Sequence, residues 1–161
     1  MSTAVCPSRS FQSPHLSSGI TEDADRWREQ DQDIRKNMSR ATSLNAHEFE
    51  QDLFELFEEH STDNWDGYGA KPVTTASFLS AINFWRMLPI TIPRPELAVD
   101  PDGAIVFEWY RGARKILSIA VERDNRVTYA GLFGPSKVSG TEYYDQDLPE
   151  TVFLQIQRVL S

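Results

Sequence analysis

Nucleophilic chemistry needs a nucleophile beside a base, and the first candidates for that base in this 161-residue chain are three histidines, His15, His47 and His60. His47 and His60 fall at opposite ends of one helical pattern. The helix rise puts them ~20 Å apart, too far to share a metal ion. His60 precedes a glycine-rich loop and could act as a base there; equally, it could complement a helix C-terminus. The zincin, nucleophile-elbow, Walker lysine and dinucleotide-binding signatures are not found. Cys6 is the single cysteine, so an intrachain disulfide or a thiol metal cluster is excluded. Carboxylates remain: Asp66, Asp100, Asp102 and Glu108. Asp100 and Asp102 belong to an Asp-Pro-Asp-Gly stretch and suit a tight turn. Glu108 alternates with Phe107 and Trp109, so it lies on the opposite face of a strand. On a solvated face it is ordinary; on a covered face it needs a partner, as a structural pair or, in a cleft, as a candidate acid. No cofactor and no metal are implied.

A second group of residues suits recognition. Asn64-Trp65-Asp66-Gly67-Tyr68-Gly69-Ala70 packs two aromatics, two glycines and an Asx pair into seven residues. Glycine tolerates positive φ, and Asn and Asp bond nearby backbone. The stretch reads as an ordered loop holding Trp65 and Tyr68 at fixed angles. Trp and Tyr are the residues that anchor protein interfaces. The expectation is that both rings reach outward; the alternative is that Trp65 plugs the end of a sheet. Just upstream, Glu50, Asp52, Glu55, Glu58 and Glu59 form an acidic helix face. Glu55, Glu58 and Glu59, with Trp65, Asp66 and Tyr68, are the expected partner-binding residues. Gly131-Leu132-Phe133-Gly134 is either an apolar tip or a strand end folded into the core.

Charge narrows the partner. The net charge is −8. Residues 1–46 carry six basic and six acidic side chains, whereas residues 47–161 carry ten basic and eighteen acidic. An acidic body repels phosphate backbones, so nucleic acid is disfavoured and a protein with a basic surface is favoured. No apolar run reaches the ~18 residues of a membrane span, and no basic segment followed by an apolar stretch marks a secretory signal. A cytoplasmic location is the expectation. A homo-oligomer is left open.

These residues must be positioned by a fold. Apolar content of 40% and charged content of 25% suit a globular domain. Residues 1–20, rich in Ser and Pro, read as a disordered tail. Residues 21–45 read as a loosely docked helical arm, with a thin apolar stripe of Trp27, Ile34 and Met38. Residues 46–161 form one domain. Its first helix, 46–60, buries Phe49, Leu53, Leu56 and Phe57, and Asn45 with Glu48 resembles a capping box. A second helix over 74–88 buries Phe78, Leu79, Ile82, Trp85 and Met87, and Pro89 ends it. Period-two segments follow at 96–99, 104–110, 115–121 and 126–132, with a turn at Asp124-Asn125. Gly131, Gly134 and Gly140 mark a looser segment with a short edge strand near 137–141. A last helix spans 148–160. The expected class is α+β: an antiparallel meander of four to five strands, two helices before it and one after, all on one face.

The order of Asn64-Trp65-Asp66-Gly67-Tyr68-Gly69-Ala70, Pro101-Asp102-Gly103, Phe107-Glu108-Trp109 and Tyr129-Ala130-Gly131 resembles a group of small uncharacterised bacterial proteins. The likeness covers roughly residues 47–160. Members of that group look like accessory proteins of mobile-element, defence or toxin–antitoxin loci. The resemblance implies an antitoxin-, immunity- or inhibitor-like protein that binds another protein without catalysis. The second reading is a small enzyme or ligand-binding protein with a carboxylate site near Asp66, Asp102 and Glu108.

Overall fold

A computed structural model describes residues 19–161. The tail expected over 1–20 lies outside the described residues but for Gly19 and Ile20, as do the side chains of Trp27 and Met38. Two compact units divide the chain, Met1–Ala41 and Thr42–Ser161. In the first, helix α1 begins; Ile34 is exposed, and Arg35 pairs with Asp31 one turn away at 2.8 Å.

Helix α1 runs without a break over Gly19–Glu59. The helix start expected at Asn45 is therefore absent. No glycine or proline interrupts residues 20–59, so nothing in the backbone stops the helix, and Asn45 is carried as an interior residue. The Thr42–Ser161 unit is α+β. Helix α2 (Thr75–Met87) precedes a five-stranded antiparallel sheet in the order β1-β2-β3-β4-β5, and helix α3 (Glu150–Leu160) follows it. The strands are β1 (Glu96–Val99), β2 (Ile105–Tyr110), β3 (Lys115–Val121), β4 (Arg126–Phe133) and β5 (Ser136–Tyr143).

Alternation decides the faces. Ile105, Phe107 and Trp109 on β2 meet Val121, Ile119 and Leu117 on β3, and Val127, Tyr129 and Phe133 on β4 continue the layer; all are buried. The helices pack on this face. Phe49 of α1 and Phe84 of α2 stand 5.9 and 5.2 Å from the Phe107 ring, and α3 buries Val152, Ile156 and Val159. The opposite face carries Glu108, Ser118 and Thr128, half-exposed, as an antiparallel sheet covered on one side allows.

Three local expectations are corrected. Leu79 is exposed; the buried face of α2 is Ser77, Ser80, Ala81, Ile82 and Phe84. Small residues there let the helix come close enough for the Tyr144 hydroxyl to donate to the Ser80 carbonyl at 2.6 Å. Phe78 instead stacks on Phe57 of α1 at 5.0 Å. Second, Gly131 and Gly140 are not in a loose segment but inside β4 and β5. The Phe133 and Tyr129 side chains lie so close over them that a β-carbon would meet the Phe133 ring at 2.6 Å and the Tyr129 hydroxyl at 2.4 Å. Third, β5 is a full edge strand of eight residues, since those rings cover the glycines that otherwise weaken a strand. The Gly131–Gly134 stretch splits between the two alternatives: Phe133 is buried under Arg158, and Leu132 is half-buried on the opposite face.

Candidate functional site

The segment between α1 and α2 is closed by its own side chains. Asn64 takes φ of 59°, Gly67 76° and Gly69 97°, which folds the chain back on itself. The Asn64 amide donates to the Ala70 carbonyl at 2.8 Å and the Gly67 amide to the Asn64 carbonyl at 3.0 Å. The Asp66 Oδ1 accepts from the Tyr68 and Ala70 amides, and the Asn64 Oδ1 accepts from the Gly69 amide at 2.7 Å. Bonds from the Tyr68 and Ala70 amides hold the Asp66 carboxyl below the usual aspartate range. The charged carboxylate therefore strengthens the loop, and acid weakens it.

The two aromatics take different roles. Tyr68 stands at the tip with 95% of its surface in solvent. Trp65 lies back: its Nε1 donates to the Lys71 carbonyl at 3.0 Å, and its ring meets His60 edge-on at 4.4 Å. His60 Nδ1 lies 2.8 Å from the Leu56 carbonyl, so it caps the end of α1 as a donor. The loop is then seated on the β1–β2 turn. The Lys71 amide donates to the Pro101 carbonyl and Lys71 Nζ pairs with Asp102 at 2.8 Å. That pairing lowers the Asp102 pKa and raises that of Lys71.

The acidic face of α1 divides as well. Glu55 and Glu59, with Asp52, form one wall of a cleft of about 500 Å³; Glu96 and Leu97 of β1 form the other, and Phe49 and Leu56 contribute its apolar lining. Arg94 stands in it, its guanidinium 5.1 Å from the Phe49 ring centre and paired with Asp52. Glu58 is exposed but does not line the cleft. Glu50 pairs with Arg86 at 2.7 Å, a bond that lowers its carboxyl pKa. Asp52 belongs to the acidic face that the sequence singles out, but Arg94, Glu96 and Leu97 were not among its candidates. Their juxtaposition crosses some forty residues of chain, and no local pattern encodes it. The run of acids on α1 was the one signal.

The carboxylates of the alternative site each have a local partner. Asp66 binds loop amides, Asp102 binds Lys71, and Glu108 accepts from the Ser118 hydroxyl at 2.6 Å on the half-exposed sheet face. Asp100 accepts from the Asp102 and Ala104 amides, as turn chemistry predicts. Among the described residues, no three His, Cys, Asp or Glu side chains stand close enough to hold a metal ion, and none of the helices is long and apolar enough to cross a membrane. Comparison with known proteins finds no matching family model, curated protein or solved structure.

Proposed function

We propose that this protein binds another protein and thereby regulates or inhibits it, without catalysis. One observation carries the reading: Tyr68 is almost wholly exposed at the tip of a loop fixed by its own hydrogen bonds. An exposed aromatic on a rigid support loses little conformational freedom on binding, which is what an interface anchor needs. Trp65, held by the Lys71 carbonyl and the His60 ring, ties down the loop that carries Tyr68. Glu55, Glu58 and Glu59 supply a negative surface that steers a basic partner. The bacterial group that the motif order resembles fits the same role, that of an antitoxin, immunity protein or inhibitor in a cytoplasmic setting.

The test is affinity purification from the native host with the wild-type chain and with Tyr68→Ala. Tyr68 makes no buried contact, so the variant keeps its fold. The expected result is a co-eluting protein captured by the wild type and lost by the variant. Equal capture by both rejects Tyr68 as the anchor.

A further inference from the structure

The register of β1 leaves half of its backbone pointing out of the sheet. The Asp100 amide donates to the Ala104 carbonyl at 3.0 Å. In the same phase, Ala98 faces Val106 and Glu96 faces Glu108, so the amides and carbonyls of Glu96 and Ala98 turn toward β2. Those of Leu97 and Val99 turn the other way, and β1 ends the sheet, so no strand receives them. An edge of this kind is a template for a further strand.

The surroundings select what that strand is. The edge opens on the cleft, where Asp52, Glu55 and Glu59 of α1 stand across from Glu96 and Leu97. A guanidinium is already accommodated there, since Arg94 lies over Phe49 and pairs with Asp52. Glu55, Glu59 and Glu96 have no cationic partner among the described residues. The other edge, β5, is longer, but it carries Lys137 on one face and Glu142 on the covered face. Charges so placed oppose strand addition.

We infer that β1 accepts an extended basic segment of a protein partner as an added strand, its backbone on Leu97 and Val99 and its cations against Glu55 and Glu59. The inference rests on the partner-binding reading and specifies what the partner contributes. In such a mode the main chain gives affinity, and alternate side chains give specificity. Lysines or arginines at every second position would face α1 and meet Glu55 and Glu59 beside the apolar lining of Phe49, Leu56 and Leu97, and the residues between them would lie on the sheet face that carries Glu96.

The test uses the full ¹⁵N-labelled chain and two capped hexapeptides, Val-Lys-Val-Arg-Val-Lys and the same peptide with glutamate at each basic position. The basic peptide is expected to bind, more weakly as salt rises, and to slow amide exchange at Leu97 and Val99. The acidic peptide is expected not to bind. Leu97→Pro removes an outward donor and no bond to β2, so it should abolish that protection. Glu55→Lys with Glu59→Lys should weaken binding roughly tenfold, the scale of a pair or two of screened charges. Both glutamates are exposed, so this variant decides the matter if Leu97→Pro does not fold. Equal binding of the two peptides, or binding without a change at Leu97 and Val99, overturns the inference. So does protection that grows with protein concentration in the absence of peptide, since a second copy would then fill the edge. Tyr68→Ala should leave peptide binding intact. Peptide failure alongside Tyr68-dependent capture thus rejects only the β1 assignment. Failed capture with intact peptide binding rejects only the Tyr68 anchor.

Discussion

Gly103 and Gly67 share a backbone conformation and differ in everything around it. Both have positive φ, +83° and +76°. A β-carbon on Gly67 would meet nothing within 4 Å, whereas one on Gly103 would lie 2.5 Å from the Pro72 carbonyl oxygen. The two positions therefore separate conformational strain from steric conflict. Gly67→Ala carries the strain alone, and the expected loss of stability is about 1 kcal/mol. Gly103→Ala adds a clash with backbone that cannot rotate away. The 61–73 loop must then lift from the β1–β2 turn, losing the Lys71–Pro101 bond and loosening the Lys71–Asp102 pair. The expected loss is roughly 2–4 kcal/mol. Urea unfolding midpoints of the two variants check this, and equal losses would mean that the loop is not seated on that turn. Gly103→Ala should also impair partner capture through Tyr68, because the support of the tip moves.

At the scale of elements, α2 and the strand end after β5 are joined through Tyr144, whose hydroxyl bonds to the Ser80 carbonyl and whose ring lies 5.9 Å from Phe84. Burial pushes the Tyr144 pKa up to about 12, against an ordinary value of 10.0. Between those values the unfolded chain has lost the proton and the folded chain keeps it. The stabilisation is full below about pH 10 and is lost as pH rises toward about 12, by roughly 2–3 kcal/mol at most. Tyr144→Phe should flatten that alkaline slope while costing about 1 kcal/mol near neutrality for the lost hydrogen bond. Unfolding free energies of the two proteins across the alkaline range check it; parallel curves would reject the assignment. Strands declare themselves locally: β3 occupies the expected span 115–121, and Asp124 and Asn125 adopt φ of 63° and 54° as their turn chemistry predicts. The face of α2 is set by what approaches it. Leu79 reads as core, but close approach of Tyr144 and Asn125 favours a small residue at Ser80, and Leu79 is left outside. The cleft was illegible for the same reason, since Glu96 and Arg94 join Glu55 and Glu59 only through the tertiary fold. Tyr68 was legible because glycine and Asx residues announce a shaped loop; the inward turn of Trp65 depends on Lys71 and His60.

For the whole molecule, burial and charge are concentrated in the same part of the chain. Every buried hydrophobic among the described residues lies at Phe49 or beyond, within the compact unit Thr42–Ser161. The charge is just as unequal: residues 47–161 hold eighteen acidic and ten basic side chains, a difference of −8 that equals the net charge of the chain. A fragment of residues 42–161 should therefore keep both the core that drives folding and the negative field to which the proposed function assigns the steering of a basic partner. Its urea midpoint is expected to match that of the full chain. Its capture of the partner should show the same fall as salt rises, because the neutral segment adds no net charge to screen. Loss of cooperative unfolding in the fragment would show that residues before Thr42 contribute to the core. A fragment that folds but binds with a shallower salt dependence would place part of the recognition in the first unit, where basic and acidic residues alternate along α1. The comparison of the two salt slopes thus separates a steering field spread over the acidic body from contacts made by the segment that precedes it.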